Sequence, residues 1–156
     1  MEDLQFKFKD AVDSLKRSSH MLHVTYPLVK DPRLFIGIMI NLDKSLKSGL
    51  DSLLYYERMY KKINPYPDDF ISKLEVFRKI IGVRYNFDKD LPQFILKIDQ
   101  IMKNRKKAPV EFAKNGNFVI CDVDYRTKIL KPEEIKEYLS KAKVFILQLH
   151  NIMTGS

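Results

Sequence analysis

The sequence predicts a mainly α protein: a bundle of about five helices built on a long antiparallel helical hairpin, with a small β-hairpin inserted before the C-terminal helix. Three observations carry that expectation. One apolar stripe runs through Leu4, Phe8, Ala11, Leu15, Ser18, Leu22, Thr25 and Val29. A second runs through Phe35, Met39, Leu42, Leu46, Gly49, Leu53, Tyr56, Tyr60 and Ile63. Steps alternating four and three residues put each set on one helix face, the pattern of two helices packed along their length. Third, residues 110–130 switch to β-branched and aromatic residues split by Asn115-Gly116, a pair suited to a two-residue turn because both positions need positive φ.

Helix one covers residues 3–29. Asp31 is suited to an N-cap and Pro32 to the first helical position, so helix two is expected to start there. It should run to Ile63, because Asn64-Pro65-Tyr66-Pro67 excludes helical geometry beyond. Helix three, residues 68–85, places Phe70, Leu74, Phe77 and Ile81 inward. Residues 86–90 are a polar connection, and Pro92 opens helix four, with Phe94 or Ile95, Ile98, Ile101 and Met102 on its inner face. A two-residue hairpin loop pairs Lys114 with Asn117, Phe112 with Val119 and Val110 with Cys121. Residues 125–130 add a third strand after a turn at 122–124. Pro132, Glu133 and Glu134 then restart a helix whose stripe is Ile135, Leu139, Ala142, Phe145 or Ile146, Leu149 and Ile152.

The stripes also carry two packing expectations. If the first turn centres near Lys30, Ala11 faces Gly49, and two small residues let the backbones approach closely. The start of helix two is apolar almost all round through Leu34, Phe35, Ile36, Ile38, Met39 and Ile40. Such a segment is either the central element of the bundle or a surface for a partner, for which Leu34, Ile36 and Ile40 are the candidates.

At 156 residues, the chain reads as a single domain over 1–156, with the β-hairpin insertion at about 110–130. Hydrophobic content of 45% with 31% charge excludes a disordered composition. Cys121 is the sole cysteine, which excludes an intramolecular disulfide and suits a reducing compartment. The opening MEDLQFKFKD is charged and periodic, so it reads as helix and not as a signal peptide. The most apolar run, residues 34–42, falls far short of the ~20 residues that cross a bilayer. A cytoplasmic protein without a membrane segment is expected.

The net charge of +8 favours anionic partners. Residues 88–109 carry six basic and three acidic side chains and end in KNRKK. Positive charge thus gathers at helix C-termini, where it also complements the helix dipole. The nucleic-acid-binding candidates are Lys61, Lys62, Lys103, Arg105, Lys106, Lys107, Lys114 and Arg126, with Tyr66 and Tyr125 available for stacking. His20 and His23 lie three apart, but no acid or cysteine completes a metal site. Cys121, Asp122 and Asp124 read as a strand end and an Asp-rich turn. Phosphate-cradling glycine loops, HExxH, paired CxxC and GxSxG are all missing from the sequence. No catalytic residue, metal or cofactor is expected.

The run RSSHMLH resembles the arginine, spacer, histidine pattern of the HEPN family of small helical RNases through Arg17, Ser18 and His23. It lies in the first helix, whereas in that family the pattern falls late in the bundle. The blocks SSHMLHVTYPLVKDPRL, SLLYYERMYKKI and APVEFAKNGNFVICDVDYRTKIL resemble an uncharacterised family of small archaeal α-helical proteins, which implies a compact helical fold and no assigned activity. The expected function is a non-enzymatic interaction module, with RNA or a ribonucleoprotein as partner, or a second copy of the chain held through the apolar start of helix two or the hairpin edge. The alternative is a HEPN-like RNase of a toxin or defence system.

Overall fold

The computed structural model describes residues 2–155. Helix α1 spans residues 2–29 and contains a π-helical turn at Met21–Thr25 between the α-helical segments Glu2–His20 and Tyr26–Val29. Helix α2 is Leu34–Met59. Helix α3 spans residues 70–84, again with a π-helical turn, Phe77–Ile81. Helix α4 is Leu91–Lys107, and α5 is Pro132–Thr154. Between them lie β1 (Val110–Lys114), β2 (Asn117–Cys121) and β3 (Thr127–Leu130), an antiparallel sheet in the order β1-β2-β3. This is the mainly α bundle with a small hairpin before the last helix that the periodicities predict.

The hairpin pairs as its turn dictates. Asn115 and Gly116 adopt φ of 53° and 80°, and Lys114↔Asn117, Phe112↔Val119 and Val110↔Cys121 face one another. The next turn is tied by the Asp122 carboxylate, which accepts the backbone N–H of Asp124 and of Arg126 at 2.9 Å each.

Three helix boundaries differ from the sequence expectation. Helix α2 starts at Leu34, not Pro32, because its first turn is wound tighter: the N–H groups of Leu34, Phe35 and Ile36 reach the carbonyls of Asp31, Pro32 and Arg33, three residues back, while the Asp31 carboxylate accepts the Arg33 N–H as a cap does. It stops at Met59, ahead of Asn64-Pro65: Lys61 turns left-handed (φ 57°), and the Lys62 N–H reaches the Glu57 carbonyl at 2.8 Å. Helix α3 begins at Phe70, with Asp69 as N-cap accepting from the Ser72 N–H at 3.0 Å.

Helix α2 forms the axis of the bundle and packs against α1, α3, α4 and α5. Phe35, Ile38, Met39, Leu42, Leu46, Leu53 and Leu54 are wholly buried along it. Its apolar opening is therefore mostly consumed by the core. Ile36 is buried and Leu34 half-buried, while Ile40 keeps 46% of its surface exposed.

The expected Ala11–Gly49 pairing is corrected. Ser45 Oγ donates to the Ala11 carbonyl at 2.7 Å, and Ser18 Oγ donates to the Ile38 carbonyl at 2.6 Å. Ala11 thus faces a position one helical turn from Gly49. The π-helical turn uses an extra residue of α1 over the same length, which shifts the register in this direction. Gly49 instead receives α5: an added Cβ would lie 3.0 Å from Ile146 Cδ1 and Leu149 Cδ1 and 3.1 Å from Phe145 Cε2.

Candidate nucleic-acid interface

The basic candidates fall into two groups separated along the bundle. Lys61 and Lys62 follow the C-terminus of α2. The cluster at 103–107 ends α4, which runs antiparallel to α2 and faces its first half: Lys47 meets Asp99, and Lys106 acts on Asp43. From Asp43 to the end of α2 is ~25 Å at 1.5 Å per residue. The two groups do not form one patch.

Several candidates are already engaged inside the protein. Glu57 is wholly buried, and its carboxylate accepts from Arg84 Nη1 at 2.7 Å and from the Tyr85 hydroxyl at 3.0 Å. Lys62 lies 3.9 Å from the same carboxylate and donates to the Tyr85 hydroxyl, which holds its ammonium above the usual lysine value. Asp99 binds Lys47 at 2.6 Å and Lys103 at 3.1 Å. Burial opposes its charge, yet those two ammonium groups outweigh burial and hold the carboxyl below the ordinary aspartate value. Nearby Asp43 shows the reverse balance: burial, offset in part by Lys47, pushes it up. Arg105 forks onto Glu111 through two bonds of 3.1 Å.

Lys61, Lys106, Lys107, Lys114 and Arg126 make no side-chain ion pair among the described residues. Lys114 and Arg126 belong to the sheet and its turn and Lys107 lies three residues before β1, whereas Lys106 acts on Asp43 of α2. Strand alternation puts Val110, Phe112 and Lys114 of β1 on one face with Asn117, Val119 and Cys121 of β2 and Thr127 and Ile129 of β3. The opposite face seats Phe118, Ile120 and Leu130 in the core. On the outer face, Val110, Phe112 and Ile129 are 50%, 43% and 41% exposed, and Val119 is covered by its neighbours. Tyr125, at φ 62°, stands fully out at the rim beside Arg126. The result is an apolar platform with an exposed ring and Lys114 on the same face, while Arg126 shares its turn with Asp122 and Asp124; Glu111, on the opposite face, is paired with Arg105. Tyr66 lies elsewhere, half-buried beside Lys73 and Asp51.

Sequence reasoning singled out the cations and overlooked Val110, Phe112 and Ile129 as a surface. A signal was present: Phe118-Val119-Ile120 is apolar on both faces of β2, while the bundle can cover only one. Arg17 shares a shallow depression with His20, and His23 does not line it. Among the described residues no group of three or more His, Cys, Asp or Glu is placed to hold a metal ion, and no helix is long and apolar enough to cross a membrane. No protein-family model matches the sequence, and neither a curated protein nor a solved structure is significantly similar to it.

Proposed function

We propose that this protein is a non-enzymatic interaction module that docks single-stranded nucleic acid, free or within a ribonucleoprotein, on the outer face of its sheet. The observation that carries this reading is the exposed Phe112 ring on the same sheet face as Lys114, with unpaired Lys106 and Lys107 just before the strand. An aromatic ring offers a base its π-face at roughly 1–3 kcal/mol per stacked base, and the lysines release counterions from the phosphates. Lys62, Lys103 and Arg105 contribute less, because each has an internal carboxylate to satisfy.

Fluorescence anisotropy with a labelled single-stranded RNA tests this. Affinity should fall steeply with salt, and replacing Lys106, Lys107 and Lys114 by Gln should flatten the slope by about 0.7 for each phosphate no longer neutralised. Phe112→Ala should weaken binding at every salt concentration. A response that is flat in salt, or indifferent to Phe112, removes the reading. If light scattering instead shows a dimer that Phe112→Ala dissociates, the face belongs to a second copy of the chain.

A further inference from the structure

We infer that the flank of the α1–α2 hairpin holds an oxyanion site for a phosphate group, built on Arg17 and independent of the sheet face.

Arg17 is held at two points. Its Nε donates to Asn41 Oδ1 at 3.0 Å, and its Nη2 donates to Ser14 Oγ at 2.9 Å. Asn41 cannot turn away, because its own Nδ2 donates to the Gly37 carbonyl at 2.9 Å. Ser14 is wholly buried. The guanidinium is therefore fixed by two neutral acceptors that leave its charge intact. Arg33, Arg78, Arg84 and Arg105 in the same protein each bind a carboxylate instead. A guanidinium carries five N–H donors, so about three of them remain free to face solvent.

The surroundings are matched to that charge. A depression of about 320 Å³ is lined by Lys16, Arg17, His20, Met21 and Asn41, with no carboxylate among them. Asp13, one turn earlier, binds Lys9, although its charge also acts on Lys16 and Arg17. The π-helical turn begins at the residue after His20 and lays Met21 over Gly37, where any Cβ would collide with the Met21 methyl. The floor is thus apolar, the Asn41 amide N–H groups are spent on the Gly37 carbonyl and on Met21 Sδ, and the donors left free are those of Arg17 and Lys16. A planar fork beside an ammonium matches the oxygens of a tetrahedral phosphate. π-Helical turns recur at functional positions, which is the role assigned to this one.

The test is an amide NMR titration with inorganic phosphate, run against sodium chloride at matched ionic strength. Saturable shifts confined to Lys16, Arg17, His20, Met21 and Asn41 are expected, with binding roughly tenfold or more weaker in Arg17→Gln. Asn41→Asp separates a ligand site from a structural bond, since it keeps the partner of Arg17 but supplies an anion of its own. Phosphate binding should fall by a similar factor in that variant while its spectrum stays folded. Normal phosphate binding in Asn41→Asp overturns the site, as do non-saturating shifts spread over lysines at large. Adenosine monophosphate and a dinucleoside monophosphate then identify the source: tighter binding of the first assigns a terminal phosphate, and of the second a nucleic-acid backbone.

Discussion

Glu57 shows how much of this protein's surface charge is spoken for from within. A wholly buried carboxylate needs a cation and hydrogen bonds, and Arg84, Tyr85 and Lys62 supply them from the ends of α2 and α3. Arg84→Ala should cost on the order of 3–5 kcal/mol, read by urea denaturation, because it strands the wholly buried Glu57 carboxylate. A loss under ~1 kcal/mol would mean the network relaxes into solvent. Asp99 carries a pH signature. Its folded-state carboxyl is held low, so its contribution is present above the ordinary aspartate value and lost as pH falls through the folded value. Asp99→Asn should therefore destabilise the protein by ~1–3 kcal/mol at pH 7, and the gap should narrow in acid, below the ordinary aspartate value. Asp43 has the opposite sign, since its charge is the disfavoured form, so its effect grows as pH rises through the same region. A gap between wild type and Asp99→Asn that is constant from pH 7 to pH 3 would show the ion pairs to be inert.

Among the elements, local rules were legible in the sequence wherever the geometry is local. Asn115-Gly116 sets the register of β1 on β2 because two left-handed residues leave the chain one way to return. Register between α1 and α2 is different. It depends on a π-helical turn and on where the first turn of α2 tightens, and neither has a signature in residue type. Helix ends were hidden for a similar reason: Lys30, Lys61 and Asn86 take the left-handed stop position that glycine usually marks. The corrected contact of Gly49 gives an expected outcome. Gly49→Ala should destabilise by ~1–3 kcal/mol despite the better helix former, because its methyl presses on α5. Pairing it with Leu149→Ala should recover part of that loss in a double-mutant cycle, whereas Ala11→Gly should recover none.

At the scale of the whole molecule, the candidate site was legible by residue type but not by availability. Any reading of the sequence finds Lys62, Lys103 and Arg105 among the cations. Their partners Glu57, Asp99 and Glu111 are fixed by how helices and strands meet, so only the folded chain shows which cations stay free. The same holds for the sheet. Its apolar outer face exists because the bundle covers one side of three short strands and has no further element for the other.

The placement of α5 has a temporal consequence. It fills the notch at Gly49, stacks His150 on Phe8 of α1, sets Phe145 against Phe77 of α3 and brings Tyr138 to Phe94 of α4. Every earlier helix therefore waits on residues 132–154 to close its apolar seam. During synthesis the nascent chain can form the α1–α2 hairpin, whose contacts lie near in sequence, but it leaves the ribosome with a greasy trough along α2. The interval before the last helix emerges is when this protein is most exposed to chaperones and to aggregation.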